Sequence, residues 1–164
     1  MIPMSPEVLF ITGLALSCAI LCGLFFVFSN FAMKALSNLP SISAIAAMQA
    51  INKNILNANF LGLFLGSASG SALVIIIALN HWEHPASSWA IAGAVLFLFG
   101  CFLITATINV PLNNRLEKMV PENIDADQEW QSYLSRWQPW NRVRMVSTLL
   151  AGASFAICAL KMVN

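Results

Sequence analysis

Charged residues are scarce in this chain: they make up 9% of its 164 residues, whereas 59% of the residues are hydrophobic. Soluble domains typically carry about 25% charged residues, so this composition cannot cover a surface exposed to water. The net charge is only +1, and no stripe of basic residues occurs, which argues against a nucleic-acid partner. The composition therefore predicts an integral membrane protein whose main partner is the lipid bilayer.

Potential metal ligands are also few. Histidine occurs only at His81 and His84, in a short Pro-ended segment where we expect both side chains to be solvated. All four cysteines lie in apolar runs, and Cys18 and Cys22 have no histidine or carboxylate at the same depth. We therefore expect no metal site.

Four apolar runs approach the roughly 20 residues needed to cross a bilayer. We expect a single membrane domain over residues 1–164, an all-α four-helix transmembrane bundle with short interfacial helices in the first and third loops. Pro111 is predicted to end the third span. In the third loop, Asp127 is expected to cap a short helix that Pro139 stops. The predicted spans lie near residues 8–28, 60–79, 89–110 and 145–163, and the first-loop helix near 41–57.

The basic residues are distributed unevenly between the predicted loops. Seven of them lie in the first and third loops, from Lys34 to Arg144, whereas Lys161 is the one basic residue on the other side. The positive-inside rule then predicts a multi-pass protein of the cell membrane, with these two loops in the cytoplasm and both termini outside.

Glycine recurs every four residues in the second span, at Gly62, Gly66 and Gly70. Such small residues let helix backbones approach closely, so this stripe predicts a packing face for another span or for a second copy in a homo-oligomer. We accordingly expect Gly66→Leu to destabilise the bundle.

Polar side chains gather where the third span ends, in the segment Asn-Val-Pro-Leu-Asn-Asn-Arg at 109–115. Unpaired amides and guanidinium groups are costly in a bilayer, so we expect the other spans to bring polar partners to this level. The alternative is that the arginines extend outward to lipid phosphates. We expect Phe31 to form part of the wall of this site. The expected binding residues are Asn30, Gln49, Asn52, Asn109, Asn113, Trp137, Trp140 and Asn141.

Three short segments together give a family resemblance: Met-Gln-Ala-Ile-Asn at 48–52, Asn-Val-Pro-Leu-Asn-Asn at 109–114, and Trp-x-x-Trp-Asn-x-x-Arg at 137–144. The chain resembles the anthrone-oxygenase-like family of small membrane proteins, also catalogued as a domain of unknown function. The resemblance implies a four-helix membrane bundle. It also implies a reaction in which some fungal relatives oxygenate anthrones to anthraquinones without an added cofactor, so no cofactor is expected here.

The predicted cluster suits a flat, apolar small molecule that ionises easily, such as an anthrone or a quinol. Arg115 and Arg144 are the candidate catalytic residues, because either guanidinium would stabilise an oxyanion beside the amide donors. The alternative is a non-enzymatic membrane protein, either a ligand binder or an accessory subunit. A pore or transporter is less favoured, because the middles of the spans lack ionisable residues.

Overall fold

The computed structural model describes residues 5–80, 85–120 and 125–163, which form five helices and no strand within those ranges. Four of the helices are long and apolar enough to cross a membrane. The predicted all-α four-helix bundle is therefore confirmed. The helices are α1 (Pro6–Ser37), α2 (Ser41–Ile55), α3 (Ala58–Asn80), α4 (Ser87–Glu117) and α5 (Ala126–Val163).

The helix α5 is the central element of the bundle. It packs about equally on α1 and α4, while α3 packs on α4 and, less extensively, on α1. The shorter α2 lies across one end, where it contacts α5 and the ends of α1 and α4. We call this end, with α2, the capped end. The opposite end carries the start of α1, the end of α3, the start of α4 and the end of α5.

Two prolines expected to end helices do not end them. Pro111 lies within α4, two residues after the end of a π-helical segment, Thr105–Asn109, in which the usual hydrogen-bond ladder is already displaced. The N–H that proline lacks would therefore have donated to a part of the helix where the regular hydrogen-bond pattern is already interrupted. Pro139 lies inside the continuous α5, so the helix expected in the third loop is joined to the last span. Asp125, rather than Asp127, accepts a hydrogen bond from the Gln128 N–H and caps α5.

Three π-helical segments interrupt the long helices: Phe28–Ala32 in α1, and Leu98–Leu103 and Thr105–Asn109 in α4. Such segments are often found at functional sites. Each extra residue turns the following part of the helix by about 100°, which changes the side chains that face the core. In α1 and α4 these turns occur as the helices approach the capped end.

The glycine stripe of α3 does not act as one packing face. A Cβ at Gly70 would lie 2.8 Å from a methyl group of Leu14, whereas Cβ atoms at Gly62 and Gly66 would meet no atom within 4 Å. The expectation that Gly66→Leu destabilises packing within the chain is therefore wrong. Gly100 and Gly93 provide the close approach of α4 to α5 instead, against Ser147 and Phe155. Association of copies through the α3 stripe stays a prediction.

Candidate functional site

A buried arginine organises the capped end. Arg144, on α5, is only 5% exposed. Its guanidinium carbon lies 4.5 Å from the centroid of the Phe25 ring and 5.3 Å from that of Trp137, so two aromatic faces stabilise the cation. Its Nη1 donates to Thr105 Oγ1 at 3.2 Å and its Nη2 to Asn141 Oδ1 at 2.7 Å. The side chain thus points into the bundle rather than outward to lipid phosphates.

Asn141 fixes this arginine to α1. Its Nδ2 donates to the Phe25 carbonyl at 2.9 Å and to Ser29 Oγ at 2.8 Å, while its Oδ1 accepts from Arg144. Ser29 lies in the π-helical segment of α1, and Phe25 comes just before it. One amide therefore connects the guanidinium to the irregular turn of the neighbouring helix, and both side chains are held in one orientation.

A second amide, Asn113, organises the aromatic side of the cluster. Its Oδ1 accepts from the Tyr133 hydroxyl and from Trp137 Nε1, each at 2.9 Å. Trp137 also packs edge-on against Phe28, with ring centroids 5.7 Å apart. The Trp137 ring is thus held on three sides, by Asn113, Phe28 and Arg144.

These groups surround a cavity of about 80 Å³. Arg144, Asn141, Asn113 and Trp137 form its polar wall together with Asn52 and Thr105, and most of the other lining residues are apolar, among them Phe25, Phe28, Met48 and Phe60. A cleft of about 300 Å³ adjoins it, because the two spaces share the lining residues Asn52, Ile55, Leu56, Val110 and Asn113. The site therefore has an inner part beside the guanidinium and an outer part that is larger.

Two hydrogen-bond donors on the lining residues make no well-formed hydrogen bond to any described residue: Arg144 Nε, and Asn52 Nδ2, which lies near the Tyr133 hydroxyl. Buried polar groups are nearly always paired, so an unpaired donor is costly unless another molecule accepts from it. Asn109 is also buried; its Nδ2 donates to the Trp137 carbonyl at 3.4 Å, while its Oδ1 has no partner in the described ranges. The wall of the cavity thus carries buried polar atoms whose hydrogen-bonding capacity the described residues do not fully use.

The structure separates several predicted site residues from this cavity. Arg115 is exposed and pairs with Glu129, with Nη2 2.9 Å from Oε2. Asn30, Phe31 and Trp140 also have exposed side chains that do not line the cavity. Gln49 uses its Nε2 to bind the carbonyls of Leu116 and Met119, where it fastens α2 to the end of α4.

Of the predicted residues, the structure brings together Arg144 and five others: Asn52, Asn109, Asn113, Trp137 and Asn141. The residues expected from the sequence did not include Thr105, nor Phe25 and Phe28, which have no polar signal. Cys101 is buried in α4, beside the Thr148 side chain and within electrostatic range of Arg144.

The opposite end holds a larger cavity, about 250 Å³, lined mainly by apolar side chains such as Phe10, Val74 and Met162. Within the described ranges, no group of three or more His, Cys, Asp or Glu residues is arranged to hold a metal ion. His81 and His84 lie outside those ranges. The described residues around this second cavity therefore do not form a polar cluster like the one beside Arg144.

The model of the anthrone oxygenase family matches residues 55–154, which include α3, α4 and most of α5. The chain belongs to the anthrone oxygenase family. No curated protein and no solved structure matches it. The matched range contains Asn109, Asn113, Trp137, Asn141 and Arg144, whereas Phe25 and Asn52 precede it.

Proposed function

We propose that this protein binds a flat, apolar compound with an acidic or carbonyl oxygen beside Arg144 and promotes its reaction with molecular oxygen. An anthrone or a quinol has this chemistry. The observation that carries the proposal is a buried guanidinium that lines an aromatic cavity and has no carboxylate partner among the described residues. Removal of a cation from water is expensive, so its retention at such a place favours a role in stabilising an anion.

In the proposed reaction, the main contribution of the protein is to stabilise the anion of the substrate. An anthrone loses a proton from its methylene carbon to give a delocalised anion, which donates electrons to oxygen. One oxygen atom then becomes the new carbonyl oxygen, and the other leaves as water with the two methylene hydrogens. Arg144 and Asn52 would donate hydrogen bonds to the oxygen that carries the negative charge, and the apolar walls would strengthen those contacts by excluding water.

The size of the site supports a substrate that extends beyond the inner cavity. Pockets for drug-sized molecules have volumes of about 300–1,000 Å³, and the inner cavity is smaller than that. The adjoining cleft supplies the missing space. We infer that the ionisable ring lies beside Arg144 and that the rest of the compound extends past Ile55 and Val110.

The direct test measures oxygen uptake by the protein purified in detergent, with an anthrone as substrate. Arg144→Gln should lower the rate by about 100–1,000-fold, as the loss of one donor to a developing oxyanion does in other enzymes. Arg142→Gln is the matched control, because Arg142 is exposed two residues away. If both variants retain the wild-type rate, or if the wild type gives no uptake above the spontaneous reaction, the oxygenase proposal fails.

Binding without turnover is the second candidate function. None of the residues lining the inner cavity is a histidine, a cysteine or a carboxylate, so this wall supplies no side chain that readily accepts a proton near neutral pH. The quenching of tryptophan fluorescence by an anthrone, together with oxygen uptake no faster than the blank, would favour this alternative.

We also propose that the capped end faces the cytoplasm of a cell membrane and that both termini face outward. The fold brings Lys53 on α2, Arg115 on α4 and Arg136 on α5 to the same end, which supports this orientation by the positive-inside rule. The four native cysteines lie within helices. A thiol introduced by Glu83→Cys should therefore react with an impermeant reagent added outside intact cells, and labelling only from the cytoplasm would reverse the orientation.

A further inference from the structure

A second cleft, of about 630 Å³, lies between α4 and α5 at the capped end. Pro111 and Arg115 line it from α4, and Arg136, Pro139 and Trp140 line it from α5. We propose that this α4–α5 cleft binds the headgroup of an anionic phospholipid. The inference is independent of the reaction proposed above, because none of these residues lines the cavity beside Arg144.

The charges of the cleft fit a phosphate group. Both guanidinium groups are exposed, and Arg115 shares its charge with Glu129 through contacts of 2.9 and 3.1 Å. Arg136 makes no ion pair with any described residue. Two cations and one carboxylate leave one positive charge at the cleft, which one lipid phosphate would balance.

The position of the cleft favours a lipid over a free anion. It lies where the apolar part of α4 gives way to polar residues, with Ile108 on its apolar side and Arg115 on its polar side. Trp140 is 40% exposed and sits at the same level, as tryptophan does at membrane–water interfaces. Basic pockets between transmembrane helices bind anionic lipid headgroups in this way. An acyl chain would then extend along the apolar face beside Ile108.

The test uses the full chain in detergent and follows its thermal unfolding with added phosphatidylglycerol, with phosphatidylcholine of the same acyl chains, and with inorganic phosphate. We expect stabilisation by phosphatidylglycerol alone. Arg136→Gln should weaken its binding about fivefold, the loss expected for one basic residue near a membrane surface. Arg115→Gln should have a similar effect, whereas Arg142→Gln, an exposed arginine outside the cleft, should bind as the wild type does.

Three outcomes would overturn the proposal. Equal stabilisation by inorganic phosphate would show a site for free anions, and equal stabilisation by phosphatidylcholine would show a general effect of lipid. An equal loss in Arg142→Gln would show that the attraction comes from the overall positive charge rather than from the cleft. Because Arg136 is exposed and unpaired with any described carboxylate, Arg136→Gln keeps the test valid even if Arg115→Gln destabilises the fold.

Discussion

The two ends of the bundle both contain a cavity, but only one has the features of a chemical site. The cavity at the end with the termini is about 250 Å³, three times the volume of the inner cavity beside Arg144, yet its walls are mainly apolar. The smaller cavity is lined by a buried cation, Arg144, whose Nε has no hydrogen-bond partner within the described part of the chain. Volume measures how loosely helices pack, whereas unpaired buried polar groups carry a free-energy cost that a ligand can relieve.

The comparison predicts that polar contacts stabilise the capped end more than single apolar contacts stabilise the other end. Asn141→Ala removes the acceptor of Arg144 and both contacts to α1, so it should lower the free energy of unfolding by about 3 kcal/mol, because a buried charged donor is left without its partner. Cys158→Ala, at a buried position lining the other cavity, should cost about 1 kcal/mol. Unfolding by denaturant in detergent measures both, and equal losses would contradict the comparison.

A smaller effect concerns the layer between the two ends, where α4 approaches α5. A Cβ at Gly100 would collide with the side chain of Ser147, so Gly100→Ala should cost about 1–3 kcal/mol by overpacking. Gly66→Ala is the matched control because a Cβ there meets no atom within 4 Å, and it should raise stability by about 0.4–1 kcal/mol through the lower backbone entropy of alanine in the unfolded chain. A large loss in Gly66→Ala would show that this surface is covered, for example by a second copy.

The residue spacing along α5 predicts part of the face that lines the site. In the sequence, Trp130 and Trp137 are seven residues apart and so share one helical face, which would end before Pro139 if that proline stopped the helix. Continued through Pro139 at the same spacing, that face includes Asn141, Arg144 and Thr148, all of which are buried. Proline is a weaker stop in a bundle of apolar helices, where neighbouring groups satisfy the backbone that it frees.

The sequence by itself determined the class of protein, its four spans, and the end at which its amides and basic residues gather. Scarce charge and long apolar runs suffice for these conclusions, because the cost of a polar group in hydrocarbon does not depend on details of packing. The family segments also pointed to this end. It even follows from the sequence that Arg142 and Arg144 face opposite sides of a helix, being two residues and about 200° apart.

Only the tertiary structure decided which arginine faces inward. Arg144 is buried and Arg142 is exposed, while Arg115, at the same end, turns outward to Glu129. The choice depends on the rotation of each helix about its axis. The π-helical turns in α1 and α4 shift that rotation by about 100° per added residue, and local residue patterns do not record where such turns occur. The rotation is set by the packing of all the helices together, which places Phe25, Trp137 and Asn141 around one guanidinium.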